Sequence, residues 1–433
     1  MNICITPHPF GGILAVPSSK SLGHRDLICA ALAEGESLVE HISASEDIDA
    51  TCRVLRCFGA EIEEVADILP GRISYRIQGG IRKGCTPVTA DCGESGSTLR
   101  FLIPLGLLTG RSVTYIGRGR LVSRPLQPYY AIFRSRHIAY QTADGGGLPL
   151  TVTGTLSPGA YTLPGNVSSQ FFTGLLLTLP LLAGDSSLYS STTLESASYV
   201  GLTLDTMARH GVHIEEEKPG VYQIAGNQSY RPGQYEVEGD YSQAAFWLAA
   251  GCLGHDVKLT GLRRHSAQGD EGIIDIIRRM GGRITEEPDS LMASTSALKG
   301  TTIDAGDCPD LVPVLTVLAT AATGTTHIVN AARVRLKECD RLHAMAEELN
   351  KLGGRVTEEP DGLIIEGTGH LHGGRVQAWN DHRIAMSLAV ASQIAEGPVQ
   401  IDGAECVKKS YPRFWQDVSA MGGMYTEEAG SNE

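Results

Sequence analysis

An internal repeat limits what this chain can fold into more than any other feature. The segment IIDIIRRMGGRITEEPDS, ending at Ser290, returns as MAEELNKLGGRVTEEPDG, ending at Gly362. Weaker copies read LRCFGAEIEE, MARHGVHIEEE, VSAMGGMYTEE and a degenerate IFRSRHIAYQT, in which Ser135 takes the glycine place. Each copy predicts an amphipathic helix, a residue that ends the helix, called the stop here, and a short strand. The stops at positions 59, 135, 211, 281, 353 and 422 lie 69 to 76 residues apart, which predicts six units.

A second helix recurs in step with the first, with a polar head and an almost wholly apolar body. Its copies read SSKSLGHRDLICAAL, ESGSTLRFLIPLGLL, SSQFFTGLLLTLPLL, YSQAAFWLAAGCL, PDLVPVLTVLATAA and DHRIAMSLAVASQIA. A helix that is apolar all round must be buried. The pattern therefore predicts an α/β (α+β) fold of six βαβαββ modules with central helices sheathed by sheets. Loosely periodic signals in an ordinary α/β protein are the alternative, and two series in phase disfavour it.

Length and charge restrict the function. A chain of 433 residues favours two domains, and a net charge of −13 argues against nucleic-acid or membrane binding through a general basic surface. Ten scattered cysteines without a CxxC pair are typical of thiols in a reducing compartment. The start MNICITPHPF has no signal-peptide pattern, so we expect a cytoplasmic protein.

Polar and cationic residues gather at the heads of the buried helices. Helix amino termini present free N–H groups, so a convergent set of them predicts an anion site. Any single serine or aspartate there is more often an ordinary cap. The candidates at the helix heads are Lys20, Ser21, Arg25, Ser95, Gly96, Ser97, Arg100, Ser168, Ser169, Gln170, Asp310, Asp381, His382 and Arg383.

Further cations lie in the loops GRGRLVSRP and RVRLKECDRL and in the segment CVKKSYP. The second of these loops fits equally well a solvated helix start with paired charges. The sequence has no HExxH, GxSxG, Walker or strand-linked GxGxxG motif, which disfavours metalloprotease, serine hydrolase and nucleotide-binding functions.

The motifs SKSLGHR, GESGSTLRFL, GRLVSRPLQP, SSQF, ESASY, EGDYSQAAF, PDLVP, RLKECDRL, NDHRIAM and KKSYP resemble, in this order, the 5-enolpyruvylshikimate-3-phosphate synthase family. The resemblance spans almost the whole chain. It implies a two-domain inverse α/β barrel with three βαβαββ repeats per domain and an active site in the interdomain cleft. The domains would be residues 18–237 and residues 1–17 plus 238–433.

The resemblance also implies an activity, the transfer of the enolpyruvyl group of phosphoenolpyruvate to the 5-hydroxyl of 3-phosphoshikimate in aromatic amino-acid biosynthesis. Asp310, Glu338 and Lys20 would be catalytic. The 3-phosphoshikimate ligands would be Lys20, Ser21, Arg25, Ser168, Ser169, Gln170, Ser196, Tyr199, Asp310 and Lys337. The phosphoenolpyruvate ligands would be Lys20, Gly96, Arg120, Gln170, Arg341, Arg383 and Lys409. No metal or other cofactor is expected, and the enzyme would be a monomer.

This sequence departs from the family pattern at a few places. Glu94 and Ser95 stand where asparagine and alanine are common beside Gly96, and Arg333 stands where some members have a substrate-binding asparagine, so it is not counted among the ligands. His24 receives no role, and we expect it to be neutral and to face outward.

Two other functions stay open. The sister family of UDP-N-acetylglucosamine enolpyruvyl transferases shares the fold and the donor, but carries asparagine in the place of Ser21 and a cysteine in the arginine loop. A non-catalytic scaffold derived from the family is the other alternative, although it would need neither Asp310 nor Glu338.

Overall fold

Buried helices alternate with amphipathic ones along the chain, as the repeat predicts. The structure is a computed structural model that describes residues 1–69 and 71–428. The α-helices in these residues are α1 (Lys20–Leu32), α2 (Glu46–Phe58), α3 (Gly96–Gly106), α4 (Gln127–Ser135), α5 (Ser169–Thr178), α6 (Ala197–Arg209), α7 (Tyr241–Leu253), α8 (Ile273–Arg279), α9 (Val312–Ala321), α10 (Arg341–Lys351), α11 (His382–Ala391) and α12 (Phe414–Ala420). The odd-numbered helices are the predicted apolar series, and nearly all their side chains are buried.

The strands are short, three to eight residues each. They are β1 (Asn2–Thr6), β2 (Gly12–Ala15), β3 (Gly35–Ile42), β4 (Glu61–Ala66), β5 (Ile73–Gly79), β6 (Val88–Asp91), β7 (Val113–Ile116), β8 (Ala139–Thr142), β9 (Leu150–Thr153), β10 (Gly159–Leu163), β11 (Ser186–Ser190), β12 (Glu215–Lys218), β13 (Val221–Ile224), β14 (Gln234–Glu236), β15 (Val257–Thr260), β16 (Arg283–Glu287), β17 (Ser290–Ser294), β18 (Thr302–Asp304), β19 (Thr325–Val329), β20 (Val356–Glu359), β21 (Gly362–Glu366), β22 (Gly374–Gln377), β23 (Val399–Asp402) and β24 (Met424–Glu428).

The described strands form six four-stranded sheets of one common pattern. In the sheet β6-β7-β9-β8, β6 runs parallel to β7, and β9 runs antiparallel to both β7 and β8. The helix α3 connects the parallel pair and α4 leads into the antiparallel hairpin, which makes one βαβαββ module. The fold class predicted from the repeat is therefore confirmed.

Three of the sheets take one strand from a distant part of the chain, which the repeat did not predict. β2 directly precedes α1 but pairs with β15, while β14 precedes α7 but pairs with β3. The amino-terminal strand β1 fills the position between β23 and β24. Three of the six sheets are thus completed by pairing between strands that are far apart in sequence.

Contacts divide the chain into two units. One unit comprises Met1–Ser19 and the chain from Glu238 onward, and the other comprises Lys20–Val237. Each has its own apolar core: α7, α9 and α11 lie in the first, and α1, α3 and α5 lie in the second. Four of these buried helices, α3, α5, α7 and α11, start with hydrogen-bonded caps at Ser95, Ser168, Asp240 and Asp381.

The stop of the second repeat lies two residues later than predicted. The glycines at the other stops have positive φ, for example 84° at Gly211. In the second repeat α4 includes Ser135, and the residue with positive φ is His137, at 55°. Histidine is among the residues that tolerate this conformation better than most, so the turn that follows α4 is made at His137 instead of at Ser135.

Among the described residues, no helix is both long and apolar enough to cross a bilayer.

Candidate active site

The head of α1 presents Lys20 to a carboxylate of the same unit. Lys20 Nζ lies 2.7 Å from Asp47 Oδ2, with the two side chains 17% and 13% exposed. Asp47 belongs to α2, and its backbone carbonyl accepts a hydrogen bond from Thr98 Oγ1 at 3.3 Å. This network ties the heads of α1, α2 and α3 together.

Arg25 is buried one turn further along α1. Its guanidinium donates to Thr203 Oγ1 at 2.9 Å, to the Ser21 carbonyl at 2.7 Å and to the Tyr199 carbonyl at 3.0 Å. Its Cζ lies 5.1 Å from the centre of the Phe101 ring. Burial lowers the pKa of Arg25 to about 10, so it still carries its charge at neutral pH. The structure thus brings Lys20, Ser21 and Arg25 together on one helix head.

The heads of α3 and α5 meet through Gln170. Its side-chain carbonyl accepts from Arg100 Nη1 at 2.7 Å, and its amide donates to Ser97 Oγ at 3.0 Å. Ser168 caps α5 by accepting from the Gln170 backbone N–H at 3.3 Å, and Ser169 is buried beside it. The predicted residues of these two helices therefore form one polar surface.

Gly96 is the first residue of α3, and the side chain of Arg124 lies very close to it. A Cβ atom built on Gly96 would lie 2.6 Å from Arg124 Nη1. Arg124 is buried, whereas Arg120 of the same loop is exposed. Glu94 lies against this loop, because a Cβ atom on Gly119 would lie 2.7 Å from Glu94 Oε2. Arg124 is therefore a site candidate that the sequence reasoning passed over in favour of Arg120.

Ser196 and Tyr199 stand at the start of α6. Ser196 is buried with φ at 53°, the left-handed region that few non-glycine residues adopt. This conformation turns the chain into α6, whose first turn supplies the Tyr199 carbonyl to Arg25. Both residues thus lie in the same unit as the α1 head, and Tyr199 contacts that head through Arg25.

In the other unit, Asp310 lies among three cations. Arg341 Nη1 donates to its Oδ1 at 2.7 Å and Lys337 Nζ lies 3.3 Å from the same oxygen. Arg383 Nη2 donates to Oδ2 at 3.1 Å, and its Nη1 donates to the Asp310 backbone carbonyl at 3.2 Å. These residues come from three segments far apart in sequence, so the fold assembles the cluster.

Arg341 binds two further carboxylates. Its Nε donates to Asp381 Oδ2 at 2.8 Å, and its Nη2 donates to Glu338 Oε2 at 2.8 Å. Cys339 donates its S–H to the same Asp381 oxygen at 3.5 Å. Asp381 also caps α11 by accepting from the Arg383 backbone N–H at 2.9 Å. The Arg341 side chain is only 1% exposed. Because water hardly reaches it, its charge is compensated by these carboxylates and not by solvent.

Arg383 and Lys409 complete the cationic surface of this unit. Arg383 Nη2 also donates to Ser242 Oγ at 2.9 Å, at the head of α7. Lys409 is buried, and its Nζ donates to the Asn380 backbone carbonyl at 2.8 Å. In this unit three cations, Lys337, Arg341 and Arg383, contact the two candidate acid–base carboxylates, and Lys409 contacts the chain just before Asp381.

The electrostatics keep Asp310 ionised. Burial alone would raise the pKa of its carboxyl, but the nearby Arg383, Lys337 and Arg341 hold that pKa well below its ordinary value. Burial would likewise lower the pKa of Arg341, and Asp381, Glu338 and Asp310 raise it well above its ordinary value. The site thus contains a carboxylate and a guanidinium that stay charged across the neutral range.

The expectation that His24 faces outward was wrong. His24 is 1% exposed, and its Nδ1 lies 2.8 Å from Thr51 Oγ1. Its ring stands edge-on to Phe101, with centroids 6.4 Å apart. The apolar character of α1 continues through this position, so the ring packs into the core. Burial, with Lys20 and Arg25 nearby, lowers its pKa well below the ordinary value, which agrees with the expected neutral state.

The pKa values of His24 and His343 should be shifted in opposite directions from that of an ordinary histidine. Hydrogen bonding to Glu358 raises the pKa of His343, whereas burial lowers that of His24. In NMR spectra, the His24 ring signals should stay constant between about pH 8 and about pH 6, where an unperturbed histidine titrates. The His343 signals should move at the upper end of that range. A His24 titration near the ordinary value would show that its ring is not buried.

Sequence reasoning missed several partners of the site. Asp47 and Ser242 hold Lys20 and Arg383 in place, and Asp381, noted only as part of a helix head, binds Arg341. A first-turn acid such as Asp47 looks like an ordinary partner of the helix dipole. Ser242 is part of the EGDYSQAAF motif, but nothing local indicates that its hydroxyl faces Arg383.

The sequence matches the model of a known protein family. A family model described as EPSP synthase (3-phosphoshikimate 1-carboxyvinyltransferase) matches residues 5–418. The chain belongs to the EPSP synthase family. Proteins named 3-phosphoshikimate 1-carboxyvinyltransferase from Clostridium acetobutylicum and Clostridium novyi are 49% and 48% identical to it. These matches cover 97% of both chains in the first case and 98% of both in the second.

A solved EPSP synthase structure from Acinetobacter baumannii has the same fold. It superposes with a TM-score of 0.82 at 27% identity, covering 98% of this chain and 100% of that chain. The family resemblance inferred from the motifs is thus confirmed.

Proposed function

We propose that this chain is a 3-phosphoshikimate 1-carboxyvinyltransferase. It transfers the enolpyruvyl group of phosphoenolpyruvate to the 5-hydroxyl of 3-phosphoshikimate and releases phosphate. The observation that carries the proposal is the cluster in which Asp310 and Glu338 both contact Arg341, beside Lys337 and Arg383. Such a cluster can bind a highly anionic donor and move a proton in the same place.

The reaction is an addition followed by an elimination. The 5-oxygen loses its proton and bonds to C2 of phosphoenolpyruvate, while C3 gains a proton and becomes a methyl group. The C2–O bond to phosphate then breaks, and the methyl group loses a proton to restore the double bond. Asp310 would take the hydroxyl proton, and Glu338, with Lys20, would exchange the proton at C3.

The low pKa of Asp310 fits this role once anions are bound. A carboxylate held by three cations is a weak base. Phosphate and carboxylate groups of phosphoenolpyruvate would compete for Arg341 and Arg383, which would raise the basicity of Asp310 during the reaction. The same arginines would stabilise the charge of the tetrahedral intermediate.

We assign the substrate contacts to the residues that the family resemblance indicates. In the Lys20–Val237 unit, 3-phosphoshikimate would bind Lys20, Ser21, Arg25, Ser168, Ser169, Gln170, Ser196 and Tyr199; in the other, it would bind Asp310 and Lys337. The phosphoenolpyruvate ligands would be Lys20, Gly96, Gln170, Arg341, Arg383 and Lys409, with Arg120 or Arg124 from the arginine loop. A cytoplasmic monomer is part of the proposal, and the ten free cysteines support a reducing compartment.

A phosphate-release assay tests the function. The purified chain is given phosphoenolpyruvate together with 3-phosphoshikimate or, separately, with UDP-N-acetylglucosamine. We expect turnover with 3-phosphoshikimate as the acceptor and none with UDP-N-acetylglucosamine. Turnover only with the nucleotide sugar would assign the chain to the sister activity, and no turnover with either would favour a non-catalytic scaffold.

Arg124→Met should impair phosphoenolpyruvate use more than Arg120→Met. Arg124 is buried against Gly96, so its charge acts in a less solvated place than that of the exposed Arg120. We expect KM for phosphoenolpyruvate to rise by about tenfold or more for Arg124→Met, the scale of a charged hydrogen bond. Steady-state kinetics at saturating 3-phosphoshikimate measures both variants. A larger effect of Arg120→Met would return the role to Arg120.

A further inference from the structure

The chain just before α11 holds two consecutive residues in the left-handed region. Trp379 has φ at 54° and Asn380 has φ at 52°, and neither is glycine. Such conformations cost free energy and persist only where surrounding contacts enforce them. We call residues 378–381 the left-handed turn.

The left-handed turn contacts each cationic residue assigned to phosphoenolpyruvate in this unit, through the side chain of Arg341 and of Lys409 and through the backbone of Arg383. The Asn380 backbone carbonyl accepts from Lys409 Nζ at 2.8 Å. The Asp381 carboxylate accepts from Arg341 Nε at 2.8 Å and from the Arg383 backbone N–H at 2.9 Å. A shift of this turn would therefore move Arg341, Arg383 and Lys409 together.

A buried carboxylate behind the turn restrains it. Glu348 lies on α10, seven residues after Arg341, and its side chain is fully buried. Its Oε1 accepts from Trp379 Nε1 at 2.6 Å, and its Oε2 accepts from the Gln377 backbone N–H at 3.0 Å. Lys351 Nζ, 2.9 Å from Oε1, compensates the charge.

The Trp379 ring provides a second point of attachment. It packs against the apolar core of its unit and stands edge-on to the His343 ring, with centroids 5.5 Å apart. His343 belongs to the same helix as Glu348 and Arg341. Helix α10 thus contacts the turn both at Asp381, through Arg341, and at Trp379, through Glu348.

We propose that Glu348 and Trp379 are positioning residues for phosphoenolpyruvate, acting through the left-handed turn on Arg341, Arg383 and Lys409. This inference rests on the proposed function. Neither residue contacts the cations directly, and each acts by holding Asn380 and Asp381 in a conformation that the backbone disfavours.

Trp379→Phe tests the inference, since it keeps the ring but removes the Nε1 donor. We expect KM for phosphoenolpyruvate to rise by about fivefold to tenfold, the scale of one buried hydrogen bond, with smaller changes in kcat and in KM for 3-phosphoshikimate. Glu348→Gln should act in the same direction, because an amide has one acceptor oxygen where the carboxylate has two. Thermal unfolding is recorded for both variants.

Rescue separates positioning from general destabilisation. Glycine adopts positive φ without strain, so adding Asn380→Gly to Trp379→Phe keeps the carbonyl for Lys409 and lessens the need for the restraint. We expect the double variant to recover much of the affinity that Trp379→Phe loses. An unchanged KM for phosphoenolpyruvate in Trp379→Phe would overturn the inference, as would an equal rise for both substrates without rescue.

The experiments distinguish failure of the proposed function from failure of the positioning role. A wild-type chain without turnover contradicts the proposed function, while an active wild type with an unchanged Trp379→Phe variant contradicts only the positioning role. Calorimetric titration with inorganic phosphate needs no turnover and reports the same cations. Weaker phosphate binding by Trp379→Phe than by the wild type supports the inference, and equal binding contradicts it.

Discussion

Asp310→Asn is expected to lower kcat by about 10²–10⁴-fold, the usual contribution of a general base. The amide keeps the shape of the side chain but cannot accept the 5-hydroxyl proton. Arg341 retains Asp381 and Glu338 as partners, so the site should still form. Binding of 3-phosphoshikimate should remain measurable by calorimetry, while phosphate release is followed to measure kcat.

Asp307→Asn is the matched control. It makes the same change three residues earlier, on an exposed side chain. Its kcat should equal that of the wild type. If Asp310→Asn behaved like this control, Asp310 would not be the base.

Arg341→Met is expected to lower the free energy of unfolding by about 3–5 kcal/mol, because removing one partner leaves buried charges uncompensated. Arg341 is the partner of Asp310, Glu338 and Asp381, and the last of these side chains is fully buried. Phosphoenolpyruvate-dependent turnover should be lost at the same time. Urea denaturation measures the stability, and the phosphate-release assay measures the turnover.

Arg335→Met offers a control from the segment just before α10. Arg335 pairs with Asp340 and Glu358, but its side chain is 22% exposed and those of its partners are 31% and 32% exposed. Pairs accessible to solvent contribute about 0–1 kcal/mol, so this variant should remain near wild-type stability. Equal losses for the two variants would contradict the role assigned to burial around Arg341.

The sequence by itself determined the repeat and the position of its polar residues. Helical periodicity and the strand alternation are local, so six helix–stop–strand units can be read directly. The same holds for Lys20, Gly96 and Asp310, because a polar residue at the head of an apolar helix stands out from its neighbours. Ser135 is the exception, since a stop without glycine has no clear local signal and the structure places it at His137.

Only the tertiary structure decided which charged groups face each other. Lys20 and Asp47 are 27 residues apart, and Arg383 and Ser242 are 141 apart. The pairing of β2 with β15 and of β14 with β3, the position of Arg124 beside Gly96, and the burial of His24 likewise depend on contacts between residues far apart in sequence. Local patterns specify which face of a helix or strand is apolar, whereas the partner of a buried charge is set by which segments pack together.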